Sequence, residues 1–313
     1  MVQIATIDRR TLIKRLAGQG LVLPVGPFAM WLGSHVAAFA DDLIQVYAPY
    51  EAFVPDEAIA DFGVDIAYTA FWRRFFRPSV AAYCDIASPF VPLPVDLAFV
   101  GAEMAANWQI TMGVNSHLLI HGAVVADSQD RAIVMPGASG SGKSTLAALL
   151  AHDGWRLLAD EFVLIDLASG LAVPYPRPVS LKNEAIAAMR AFAPKARLSR
   201  AFAGTLKGTI AYLTPPDSSL EAMHRPAQVH LVLFPQFRLG ETPAQEHLDA
   251  GELLMRLIAA SANYSRLGAA GFDCATALAA RVPALRMRFG TTAGGLGLAH
   301  DLASRYFAAA PGG

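Results

Sequence analysis

Cysteine is scarce in this chain. Cys84 and Cys274 are the only two in 313 residues, and they lie far apart without the paired spacing of a disulfide framework or a metal site. They fit free, buried thiols in a reducing compartment, so a cytoplasmic protein is expected. Net charge is nearly absent as well: 25 basic residues against 26 acidic ones leave −1. Such a balance offers no broad electrostatic attraction to nucleic acid or to a membrane surface, and neither partner is expected. No stretch supplies the ~18 uninterrupted apolar residues of a membrane helix. Arg9, Arg10, Lys14 and Arg15 before the apolar Leu21–Leu32, with Ala38-Phe39-Ala40 after it, superficially resemble a secretory leader. Pro24, Gly26 and Pro27 interrupt that apolar part and suit a strand–turn–strand instead. Internal repeats and low-complexity tracts are also missing. What is present is apolar: a hydrophobic fraction of 54% excludes a disordered chain.

The pattern divides into a mixed α+β region over 1–115 and a larger part over 116–313. In the first, helices are expected at Thr11–Ala17, His35–Tyr47 and Leu97–Met112. Paired strands are expected within Gly20–Gly33, and further strands at Phe62–Thr69 and Ala81–Ala87, with Pro89–Pro94 as a crossing segment. In the second, His117–Ala126 and Arg131–Pro136 read as strands around Asp127-Ser128-Gln129-Asp130. Trp155–Ala159, Phe162–Asp166, Gly208–Leu213, Val229–Phe234 and Ala284–Phe289 read as strands too. Helices are expected at Asn183–Phe192 with Asn183 as cap, and at Ala250–Ala262, Gly271–Ala280 and Gly294–Phe307. The tail Ala308–Gly313 is expected to fray. The hairpin-linked strands predict a mixed sheet, hence an α/β fold of α+β character.

Between Pro136 and an apolar helical stretch lies Gly137-Ala138-Ser139-Gly140-Ser141-Gly142-Lys143-Ser144. It fits G-x-x-x-x-G-K-[ST], the loop that cradles nucleoside triphosphates. Glycines let the backbone curl so that its N–H groups converge on an anion, and the following helix N-terminus adds partial positive charge. Lys143 can reach the β- and γ-phosphates, Ser144 can ligate Mg²⁺, and Thr145 opens the helix beside them. Leu146, Leu149 and Leu150 at helical spacing, and Gly154 as a stop, give the required strand–loop–helix order.

A second signal is Trp155-Arg-Leu-Leu-Ala-Asp160-Glu161, a short strand ending in two acids shortly after the loop. In phosphate-loop folds such a carboxylate approaches the metal or the attacking group. His121, in Leu118-Leu-Ile-His-Gly122, is a lone histidine in an apolar strand, and Gly122 permits close backbone approach. Arg177, Lys182, Lys207 and Arg266 are basic residues that read as surface charges. Lys182, Lys207 and Arg266 are also candidates for binding substrate. Phe71–Arg77 interleaves Trp72, Phe75 and Phe76 with Arg73 and Arg74, as a packed turn or an oligomer contact does.

His121-Gly122, the Gly137–Ser144 loop and Leu157-Leu-Ala-Asp160-Glu161 together resemble, in order and spacing, the catalytic domain of HPr kinase/phosphorylase. The closer resemblance is to the HPr-kinase-related "kinase A" group, with the kinases of lasso-peptide pathways also similar. The resemblance implies a phosphate-loop core like that of phosphoenolpyruvate carboxykinase. It implies Asp160 as general base, His121 beside it, Lys143 on the transferred phosphoryl, and a metal at Ser144; Glu161, the second acid of the strand end, is the other candidate metal ligand. It also implies ATP and Mg²⁺, and a homo-oligomer. This chain has Glu161 where the family has a second Asp, Pro176-Arg-Pro-Val-Ser-Leu-Lys182 where the family has another signature, and an unrelated N-terminal third. The expected activity is an ATP-dependent kinase acting on a hydroxyl, with a serine of a small protein or peptide as acceptor. A small-metabolite kinase and a non-catalytic ATP-binding protein are the alternatives.

Overall fold

The computed structural model describes residues 2–55, 58–85 and 87–308. It divides into two units, Met1–Gly113 with Arg197–Thr214, and Val114–Ala196 with Pro215–Gly313.

The first unit is built on a five-stranded sheet in the order Leu21–Val25, Phe28–Ser34, Phe62–Tyr68, Ser79–Cys84, Leu93–Pro94. The expected strand–turn–strand is there: Val25 pairs with Phe28 across Gly26, whose φ of +53° is the left-handed geometry that glycine adopts without strain. Helix Arg9–Ala17 starts where the Asp8 carboxylate accepts from the Thr11 N–H. Helix Ala98–Gly113 is buried on most sides, which is why it carries little amphipathic pattern. The strand expected over Ala81–Ala87 is Ser79–Cys84, and residue 86 lies outside the described residues, as do 309–313 of the tail.

Residues 197–214 follow a long stretch of the second unit in the chain yet pack with the first. Their hairpin, Phe202–Thr205 with Gly208–Leu213, brings Phe202 and Tyr212 onto Phe99, with ring centroids 5.9 and 5.1 Å away. Arg200 forks onto the buried Asp42 with bonds of 2.7 and 2.9 Å, and the Thr214 hydroxyl donates to Val46 O.

The second unit holds an eight-stranded mixed sheet. Its strands are β1 (His117–Ala126), β2 (Arg131–Pro136), β3 (Arg156–Ala159), β4 (Phe162–Asp166), β5 (Ala172–Val173), β6 (Gln228–Phe237), β7 (Ala244–Leu248) and β8 (Ala284–Phe289). The order is β5-β4-β1-β2-β6-β8-β7, with β3 also on β1. The pairs β2–β6 and β6–β8 are parallel and the rest antiparallel. Strand β1 is apolar on both faces because it is covered on both. Helix α1 (Lys143–His152) buries Leu146, Leu149 and Leu150, each contributing about 1.5–3 kcal/mol.

Two local expectations need correction. Asn183 stands at the start of helix Glu184–Phe192, but at φ +50° and without a side-chain cap bond. Cys84 is buried and free as expected, whereas Cys274, also free, is only half-buried. No helix among the described residues is long and apolar enough to cross a membrane.

Candidate active site

The glycine-rich loop runs from the end of β2 into α1. Gly137, Gly140 and Gly142 have φ of +156°, +86° and +97°, so the turn depends on glycine at each. A side chain at Gly142 would also press on Phe237, at 3.1 Å. The loop is tied to β6 by a bond from the Phe237 N–H to Ser141 O, 3.1 Å. Lys143 is buried and its Nζ donates to Ala138 O at 3.2 Å, so the ammonium folds back over the loop. Lys182, at the end of strand Val179–Lys182, places its Nζ 3.5 Å from Ser139 Oγ. The loop, Lys143 and Lys182 are therefore brought together.

The two acids are displayed by an interruption in a strand. Residues 156–166 run along one edge of β1. Strand β3 pairs with Val124–Ala126 and β4 pairs with His117–His121, leaving Asp160 and Glu161 between the two ladders. Glu161 adopts φ +76°, a left-handed conformation that non-glycine residues rarely hold. Gly122 lies opposite, its N–H donating to Glu161 O at 3.1 Å. A Cβ on Gly122 would come 2.6 Å from Met135 O, so only glycine lets β1 and β2 approach there.

Asp160 is only 7% exposed and accepts a hydrogen bond from the Ser144 hydroxyl. Its Oδ1 has no hydrogen-bond partner among the described residues. Burial pushes its carboxyl up to about 6; the neighbouring Glu161 charge adds to this, while the Ser144 bond and the Lys143 ammonium oppose it. Glu161 points elsewhere. Its Oε1 is 3.5 Å from His121 Nε2, and both side chains are partly exposed. The buried Ser144–Asp160 pair and the more open His121–Glu161 pair thus involve adjacent residues of the chain.

The remaining candidates go elsewhere. Arg266 is committed to the entry of β1, donating to Asn115 Oδ1 at 2.6 Å and Val114 O at 3.0 Å. The buried Asn263 clamps the same segment, bonding Val114 O, His117 O and the Leu119 N–H. Lys207 lies in the first unit, at the hairpin turn where its N–H donates to Thr205 Oγ1. Arg177 is no surface charge: it is buried, with its guanidinium 5.6 Å from the Tyr175 ring centroid. The neighbouring Tyr175 and Pro176 were the available signal for that. Among the described residues no group of three or more His, Cys, Asp and Glu side chains could by itself hold a metal ion.

No protein-family model matches the chain, and no curated protein matches it either. One solved structure to which it is similar is the HPr(Ser) kinase/phosphatase from Coxiella burnetii, at 14% identity, over 60% of this chain and 98% of that one, with a TM-score of 0.28. A superposition that loose carries no weight for kinship or activity.

Proposed function

We propose that the second unit is an ATP-dependent kinase that transfers a phosphoryl group to a hydroxyl, with a serine of a small protein or peptide as the favoured acceptor class. One observation carries the reading. A buried carboxylate, Asp160, leaves Oδ1 open beside the Ser144 hydroxyl and the Lys143 ammonium, at the mouth of a glycine loop fitting the triphosphate motif. An orphaned buried oxygen next to a hydroxyl is a donor set that fits Mg²⁺, an oxygen-seeking cation that binds through one or two protein groups plus phosphates. Bound there, the cation would neutralise charge on the triphosphate oxygens.

The chain's own residues then divide the work. Loop N–H groups and the α1 N-terminus hold the phosphates. Lys143, released from Ala138 O, meets the oxygens on which charge builds. The sequence suggests Asp160 as the base and Glu161 as a metal ligand; the geometry supports the exchange of these roles. Asp160 is tied to Ser144 and deeply buried, as suits the cation side. Glu161 is more open and lies beside His121, as suits taking a proton from an acceptor hydroxyl.

Two variants of the intact chain test this with labelled ATP and serine-containing peptides. Glu161→Gln should keep MgATP affinity and lose transfer by about 10²-fold or more. Full-rate transfer by that variant returns the base to Asp160. Tight MgATP binding by the wild type with no product from any peptide or hydroxyl metabolite removes the kinase and leaves a nucleotide-binding protein.

A further inference from the structure

The segment Phe71–Arg77 is not a packed turn. Phe71, Trp72, Phe75 and Phe76 are 76, 53, 76 and 61% exposed. The segment connects strands Phe62–Tyr68 and Ser79–Cys84 of the first unit, whose ladder closes at Tyr68 and Val80. Its base is pinned by the Thr69 N–H donating to Ser79 O and by a 2.8 Å bond between the two hydroxyls. What stands on this base is a single turn of 3₁₀ helix, Phe71–Arg74, and the three residues after it.

The charge of the segment has one sign. From Ile66 to Cys84 the chain has Arg73, Arg74 and Arg77 and neither acid nor lysine. Among the described residues no carboxylate pairs with these three arginines. Their guanidiniums lie instead over rings: Arg73 at 4.3 Å from the Trp72 centroid, Arg74 at 5.6 Å from Tyr68, Arg77 at 5.6 Å from Phe76. The near-zero charge of the whole chain conceals this local excess.

We propose that this loop docks the protein on an anionic lipid surface, its rings seated at the headgroup boundary and its arginines on lipid phosphates. Exposed ring area and charge decide between occupants. The Phe71 and Phe75 rings pack edge to face at 5.9 Å, and Trp72 and Phe76 are exposed beside them. A partner of fixed shape would have to supply a pocket for these rings and a carboxylate for each arginine, whereas an anionic bilayer offers all of them a deformable apolar boundary under a continuous layer of phosphates. Aromatic rings with arginine collars have the amphipathic make-up that favours that boundary. A symmetric second copy would set one arginine cluster against another, which like-charge repulsion opposes. A single strand of nucleic acid stacks along a groove, and this is a projecting tip.

The test is co-sedimentation of the intact chain with phosphatidylcholine vesicles and with equimolar phosphatidylcholine–phosphatidylglycerol vesicles. Binding to the anionic vesicles should exceed binding to the neutral ones by about tenfold or more, and should fall as salt is raised. The combined variant Phe71→Ser, Phe75→Ser and Phe76→Ser should lose about tenfold or more, with its thermal unfolding unchanged because these side chains are exposed. Trp72→Phe should still sediment but lose the vesicle-induced blue shift in tryptophan emission; should the serine variant misfold, this readout decides. Absence of anionic-vesicle binding by the wild type overturns the proposal. Unchanged binding by the folded serine variant does so too, as does a blue shift that survives Trp72→Phe. Ring-dependent dimerisation, or ring-dependent capture of single-stranded DNA or an acidic peptide, without vesicle binding, also overturns it.

Discussion

Among the described residues each unit buries one aspartate, and the two are treated differently. Asp42, in the first unit, is 4% exposed and receives the guanidinium fork of Arg200 on both its oxygens. Asp160, in the second, is nearly as buried, yet it accepts from the Ser144 hydroxyl and the Glu161 N–H and still leaves Oδ1 without a partner among the described residues. A carboxylate that serves only to fasten a segment is matched in full, because a buried charge without a partner costs several kcal/mol. One that stays incomplete is relieved by a proton, which the raised carboxyl of Asp160 favours, or by a partner from outside. Asp42 therefore reads as a fastener for residues 197–214, whereas Asp160 is the incompletely matched group on which the proposed function rests.

That contrast can be broken from either side. The largest effect is expected at Lys143, the charge facing the open half. Lys143→Ala should slow phosphoryl transfer by about 10³-fold in a single-turnover assay with labelled ATP. A normal rate would mean that the loop does not handle the reacting phosphate. Next, Arg200→Ala strands Asp42 without its fork and should destabilise the first unit by about 3 kcal/mol in denaturant unfolding; the partial exposure of Arg200 keeps the cost at the low end for such pairs. A loss below about 0.5 kcal/mol would place the pair among ordinary surface bridges.

The smallest effect has the opposite sign. The carboxyl of Asp160 is raised in the fold to about 6 from an ordinary 3.8. The fold thus favours its protonated form. The stability this gives is complete below about pH 3.8 and is lost as pH rises through 6. Without metal or nucleotide, Asp160→Asn should then be more stable than wild type at pH 8, by at most about 2–3 kcal/mol, and the gap should close toward pH 4. Thermal unfolding at both pH values reads this directly. An equal gap at the two values would mean that Asp160 is not held charged and incomplete above pH 6.

Much of the second unit was legible because its apolar runs are long and punctuated. His117–Ala126, Arg131–Pro136 and Ala284–Phe289 have the bounds that their sequence suggests, and the antiparallel pair before the loop announced a mixed sheet. Strand Ala244–Leu248 was not legible. As an edge strand of composition Ala-Gln-Glu-His-Leu it lacks the apolar alternation that a covered strand needs. The return of residues 197–214 to the first unit was equally hidden, since it rests on Phe99, Asp42 and Val46, all more than ninety residues away. In the site, Asp160, Glu161, His121 and Lys143 were found as residues, but not their pairing. That pairing depends on the left-handed turn at Glu161, which no local pattern signals. The sequence did not decide whether Phe71–Phe76 is a packed turn or a contact surface, because aromatic residues ordinarily point to a core.

The most direct test of the open carboxylate is the affinity for ATP, with and without Mg²⁺, in wild type and Asp160→Asn. Mg²⁺ should tighten binding to the wild type, and the variant should lose about tenfold or more of that tightening while binding metal-free ATP as well as the wild type does. An Mg²⁺ dependence unchanged by the substitution would contradict the account, because Asp160 Oδ1 would then not be where the cation binds.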